Sequence, residues 1–207
     1  MEVDVRILLA MAVLCASGAP VVWAAPLLPG LEVLWEHRYS YELWCGVLLG
    51  GWGSTTLDDF ILEEPAVIMG FEGWFVAKDD SPEPFYAAIR HDDGGQPGDG
   101  LWNTVITDVT PTYTGDDYHG EFVDYGLYHY LLLLEEGDYI GLEAGRPYWL
   151  KLLCTNFPGY WACSEGGNAY AGGYILDLSL FFSVLGTPVE ESVTPASWGE
   201  IKAGFVD

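Results

Sequence analysis

The chain is poor in positive charge: seven Lys and Arg stand against 31 Asp and Glu in 207 residues, a formal net charge of −24. Phosphate backbones and anionic membrane surfaces are bound through clustered Lys and Arg, so no nucleic acid partner is expected. Cysteine is sparse, with four in all, and no CxxC or Cys/His spacing for zinc occurs. Beyond the first residues there is no run of about 20 apolar residues, the length a membrane helix needs, so the mature chain is expected to carry no transmembrane segment. Hydrolase signatures are missing: there is no Gly-x-Ser-x-Gly and no His-Glu-x-x-His, and His37, His91, His119 and His129 are scattered singly. Helix-period segments are absent from the mature chain, as is any internal repeat at a solenoid or propeller period.

What is present begins with an apolar stretch from Ile7 to Trp23, entered by Arg6 and closed by Val22-Trp23-Ala24. This pattern predicts a cleaved secretory signal over residues 1–24 and a secreted or cell-surface protein, although Glu2 and Asp4 replace the usual basic opening. Cys45, Cys154 and Cys163 then remain. Cys154 and Cys163 flank a short loop, and the spacing predicts a disulfide between them in an oxidising compartment, with Cys45 left over.

Strand-like runs recur between Gly, Pro and Asp clusters, which predicts an all-β antiparallel sandwich. The expected strands are Leu57 to Leu62, Val67 to Val76, Phe85 to Arg90, Leu101 to Asp108, Tyr128 to Leu134, Pro147 to Cys154 and Tyr174 to Leu185. Residues 25–56 read as an irregular lead-in, 57–186 as the sandwich, and 187–207 as a Pro/Glu/Thr-rich linker with a terminal peptide. Between two expected strands, His91-Asp92-Asp93-Gly94-Gly95-Gln96-Pro97-Gly98-Asp99-Gly100 consists almost wholly of turn formers and carboxylates. Gly supplies positive φ, Pro fixes φ and Asp bonds its own backbone, so the run predicts a hairpin that returns the chain antiparallel.

Four segments in order carry a resemblance: Asp58-Asp59-Phe60, then Val67 to Phe75, then Gly94-Gly95-Gln96-Pro97-Gly98, then Ala144-Gly145-Arg146-Pro147-Tyr148-Trp149-Leu150. Together they resemble secreted bacterial β-sandwich domains with a DDF strand, a DDGGxPG turn and an AGxxYWL strand, over roughly Leu57 to Gly186. The resemblance implies a jelly-roll or galactose-binding-like sandwich on an exported protein and brings no catalytic residues with it. The end of the chain, Ser197-Trp198-Gly199-Glu200-Ile201-Lys202-Ala203-Gly204-Phe205, is similar to the SWGxIKAxF peptides that close some exported bacterial proteins. Those peptides usually finish on a basic residue, whereas this chain finishes on Val206-Asp207.

Two places carry residues suited to a ligand. The loop Thr155 to Ala162 presents Asn156, Phe157, Tyr160 and Trp161, and sugar faces stack on such rings while amides take the hydroxyls; burial in the core is the competing reading. Asp92, Asp93 and Asp99, with Gln96, place hard oxygen ligands on one short turn, which suits calcium, although hairpin chemistry alone accounts for the same residues. No other cofactor is implied. The sequence therefore points to a non-catalytic exported or cell-surface module that binds an extracellular glycan or surface partner. A structural envelope or matrix component without a small ligand is the alternative, and an enzyme with an unrecognised site is the third reading.

Overall fold

The computed structural model describes residues 30–37, 45–48, 56–77, 84–119, 124–154, 160–171 and 173–189. The expected signal (1–24) and terminal peptide (198–207) lie outside them, as do Asn156 and Phe157. The described residues are almost wholly strand, in chain order β1 (Glu32–His37), β2 (Cys45–Leu48), β3 (Thr56–Ile61), β4 (Ala66–Ala77), β5 (Phe85–Asp92), β6 (Pro97–Ile106), β7 (Asp108–His119) and β8 (Asp124–Leu133). One turn of 3₁₀-helix (Glu136–Asp138) leads to β9 (Ile140–Leu142), β10 (Pro147–Cys154), β11 (Tyr160–Glu165), β12 (Tyr170–Ala171), β13 (Tyr174–Ile175), β14 (Leu178–Leu180) and β15 (Phe182–Pro188). Among the described residues no helix is long and apolar enough to cross a membrane.

The strands form two antiparallel sheets packed face to face, so the expected β-sandwich is what the chain builds. A nine-stranded sheet runs β1-β15-β4-β11-β14 with β2, β7, β8 and β9 attached. The other, six-stranded, is ordered β13-β12-β3-β10-β5-β6. Alternation explains the layers. Phe85, Ala87 and Ile89 of β5, Tyr148, Leu150 and Leu152 of β10, and Phe71 and Phe75 of β4 all enter one core, because successive side chains on a strand point to opposite faces. Within that core Phe75 packs against Phe85, Tyr130 and Trp161 at centroid separations of 5.2, 5.3 and 5.6 Å.

The hairpin expected at His91–Gly100 is present and joins β5 to β6. Asp92 pairs with Pro97, the Asp93 N–H donates to the Gln96 carbonyl at 2.8 Å, and Gly94 and Gly95 take φ of 65° and 86°. Those two positive φ values are why the run needs Gly-Gly at its tip. Strand β6 starts earlier than the apolar residues indicate, at Pro97 instead of Leu101.

Several expectations are corrected. Cys154 is a buried thiol and not half of a disulfide with Cys163. Cys154 ends β10 in the six-stranded sheet, whereas Cys163 sits within β11 of the nine-stranded sheet, where its partner across the ladder is Cys45 of β2. Of the expected loop, Tyr160, Trp161 and Ala162 belong to strand β11. The lead-in is not irregular throughout, since β1 pairs with β15 and β2 with β11. The segment Tyr174 to Leu185 is not one strand but β13, β14 and the first part of β15, divided between the two sheets. Finally, β15 continues to Pro188, and the Val189 N–H donates to the Pro65 carbonyl at 2.8 Å, so the first residues assigned to the linker belong to the sheet.

Candidate binding face

The outward face of the six-stranded sheet brings polar and aromatic residues of the adjacent strands β10, β5 and β6 together. Because Phe85, Ala87 and Ile89 point inward, Tyr86, Ala88 and Arg90 point outward; by the same alternation Trp149, Lys151 and Leu153 of β10 face out between them and β3. Register aligns these residues in rows. Asp59 lies opposite Trp149, which lies opposite Arg90; Leu57 lies opposite Lys151, which lies opposite Ala88, which lies opposite Asn103. Directly opposed residues on one face are neighbours.

Trp149 lies beneath this face as its buried floor, supporting the side chains around it without offering its own ring to a ligand. It is 0 % exposed, its indole N–H donates to Asp92 Oδ1 at 2.9 Å, and its ring meets Tyr170 of β12 edge-on at 6.4 Å. Asp92 also accepts the Gly95 N–H at 3.1 Å with both carboxylate oxygens. The turn and the AGxxYWL strand are thus joined by one carboxylate that closes the hairpin tip and orients the tryptophan. Around this floor stand Tyr86, Arg90, Lys151, Asp59 and Tyr170, each half-buried, and the exposed Asn103. The Lys151 ammonium lies 5.5 Å from the centre of the Tyr86 ring, within cation–π range. Partial burial, and then the neighbouring Arg90 charge, lower the Lys151 pKa below its ordinary value.

A second polar pair occurs on the outward face of the other sheet. His129 Nε2 lies 3.3 Å from Glu72 Oε1, with both side chains largely buried, and the imidazole packs on Trp74 at 4.7 Å. Beside it Val76, Leu127, Ala162 and Phe181 make a small apolar cluster separate from the main core. Between the sheets, Asp58 accepts the Leu180 N–H of β14 at 2.6 Å and the Asp59 N–H at 3.0 Å. Burial is the first cause raising its pKa to about 7. Its carboxylate is enclosed and both oxygens are occupied, which makes it a stitch between layers.

No family model, curated protein or solved structure matches the chain. Its functional reading therefore rests on its own residues.

The structure separates the residues the sequence singled out. Trp161 is 0 % exposed, packed at a tilt against Phe75 and edge-on against Phe182, and donates its indole N–H to the Phe181 carbonyl at 3.0 Å. It is a core residue with no free face for a sugar, which corrects its assignment to a ligand platform. Tyr160 opens β11. Asp92, Asp93 and Asp99 are not brought together as a ligand set, and among the described residues no group of three or more His, Cys, Asp or Glu side chains is placed to hold a metal. The physical reason is the turn itself: Asp92 faces Trp149 and Gly95, while Asp93 and Asp99 remain exposed on either side of the tip. Sequence reading missed Tyr86, Arg90, Asn103 and Lys151. The signal that could have found them is period-two alternation in Phe85 to Arg90 and Pro147 to Cys154, which puts Tyr86, Arg90, Trp149 and Lys151 on one side.

Proposed function

We propose that the chain is a non-catalytic exported or cell-surface β-sandwich module that binds extracellular glycan on the outward face of its six-stranded sheet. The observation that carries this reading is the juxtaposition of Tyr86, Asn103, Arg90 and Lys151 on adjacent strands over the Trp149 floor. The half-buried Tyr86 ring offers apolar surface to a sugar face, and amide and charged groups take hydroxyls, the mixture a ligand site requires. Strands fix such groups more rigidly than a loop does. The resemblance to secreted bacterial sandwiches and the apolar leader support export. The buried Asp58, the one carboxylate among the described residues whose pKa is raised to about 7, is shut between the sheets, away from this face, which favours binding over acid–base chemistry.

A glycan array or polysaccharide pull-down with the exported chain tests the reading. Retention of at least one glycan is expected, weakened roughly tenfold by Tyr86→Ala or Asn103→Ala, a loss of about 1.4 kcal/mol. Equal retention by both variants would move the site off this face. An array with no retained glycan would favour a structural envelope or matrix component.

A further inference from the structure

Basic residues are so few here that their placement carries information. Three of the seven Lys and Arg fall among the described residues. Arg146 is neutralised locally, its guanidinium 2.8 Å from Glu143 Oε2 on the surface. The other two, Arg90 and Lys151, sit on neighbouring strands with their side chains on the same face. Arg90 is opposite Trp149 and Lys151 is opposite Ala88, so the two cations are diagonal neighbours of the kind whose side chains reach each other.

Neither forms an ion pair with a carboxylate among the described residues. Asp59 lies on the same face, one position beyond Trp149 from Arg90, and still pairs with neither. In a chain with 31 acids that arrangement is unusual, because adjacent like charges repel and partial burial removes the water that would screen them. The lowered Lys151 pKa has the same two causes, burial and Arg90. An arriving anion would offset the repulsion between the two cations.

We infer that Arg90 and Lys151 form an anion subsite within the proposed glycan-binding face, and that the ligand class is a carboxylated, uronate-bearing polysaccharide. The inference rests on the glycan reading above. The guanidinium fork of Arg90 matches the two oxygens of a carboxylate, and the Lys151 ammonium supplies a point charge beside it. Asn103, in the Lys151 row, and Tyr86, beneath the Lys151 ammonium, are placed for the hydroxyls and ring of the same sugar unit. The surrounding surplus of carboxylate repels a polyanion everywhere else, and beyond about 8 Å that repulsion is screened at physiological salt. The attractive charge for a polyanion is therefore confined to this pair.

The experiment compares retention of the exported chain on polygalacturonate and on the same polymer with its carboxylates methyl-esterified, at 0.15 M salt. The acid form is expected to bind at least tenfold more tightly, with the preference abolished in Arg90→Gln and Lys151→Gln and kept in Lys151→Arg. It should also fade at 1 M salt, where screening acts within about 3 Å. Unfolding midpoints of the variants, measured alongside, are expected to stay near that of the parent chain. Equal binding of acid and ester, or a preference untouched by both glutamine variants, overturns the anion subsite and leaves the glycan reading in place. Retention of neither polymer, together with an empty array of neutral glycans, overturns both.

Discussion

Asp58 is the residue whose chemistry is most constrained by its place. It sits on β3 of the six-stranded sheet and accepts the backbone N–H of Leu180 from β14 of the nine-stranded sheet at 2.6 Å. Desolvation disfavours its charged form more than these two hydrogen bonds favour it, so its pKa rises from 3.8 to about 7. The linkage follows from proton counting. Between these two values the folded state holds a proton that the unfolded state has released, so stability falls as pH rises through this window and the contribution is lost above about 7. Its full size is on the order of 4 kcal/mol. The other acids titrate too, so the informative quantity is the difference between the parent chain and Asp58→Asn. That variant cannot titrate and presents an N–H₂ where one carboxylate oxygen accepted a bond. The parent should exceed the variant in unfolding free energy by several kcal/mol at pH 5, with the gap narrowing by about 3 kcal/mol at pH 8, as measured by urea denaturation at both pH values. A gap independent of pH would mean that Asp58 does not titrate in this range.

At the scale of elements, regular strands with local turn chemistry were legible in the sequence and long-range pairings were not. Pro147–Cys154 is a strand with the bounds its alternation gives, and the His91–Gly100 hairpin follows from Gly94, Gly95 and Pro97. By contrast β7, Asp108–His119, carries Pro111, Gly115 and Asp117, all turn formers. It is a strand because it is an edge, paired with β8 alone and bulged between Tyr113 and Asp117, where proline and a broken ladder are tolerated. Strand β11 was hidden in the same way: Tyr160-Trp161-Ala162 resembles an aromatic loop until β2, β4 and β14 pair with it. The candidate face was legible in its parts, since alternation puts Arg90 and Lys151 outward, but that β5 and β10 are neighbours is a fact of tertiary pairing. The same is true of the cysteines. Cys154 and Cys163 are close in sequence yet lie in different sheets, whereas β2 and β11 place Cys45 directly opposite Cys163. Directly opposed positions of an antiparallel pair bring the Cα atoms to about 4.5–5.5 Å, within the span a disulfide bridges. Non-reducing peptide mapping of the full chain, purified without reductant, should recover Cys45 linked to Cys163 and Cys154 as a thiol. A Cys154–Cys163 peptide would overturn the pairing of Cys163 with Cys45.

For the whole molecule the decisive quantities are closure and charge. The sandwich is closed by pairings between distant parts of the chain, with β15 lying between β1 and β4 so that Glu32 faces Gly186 and Phe182 faces Gly73. Such pairings cost loop-closure entropy before they return any contact energy, which places folding in the slower range of all-β proteins. Against that assembly works a formal charge of −24. Most of the described acids are exposed or half-buried, and among the described residues ion pairs offset few of them. Compaction therefore brings like charges together, and self-repulsion destabilises the folded form more than the expanded one. Screening should reverse this. Raising sodium chloride from 0.01 M to 0.5 M shortens the screening length from about 30 Å to about 4 Å. A gain of about 2 kcal/mol would raise the Tm of a chain this size by roughly 4–8 °C. Calorimetry across that salt series checks the sign, and repeating it with choline chloride separates general screening from specific binding of sodium. A constant Tm would show that the carboxylates are spaced widely enough for repulsion to be negligible, and a Tm that falls with salt would show that attractive pairings outweigh repulsion in the folded form.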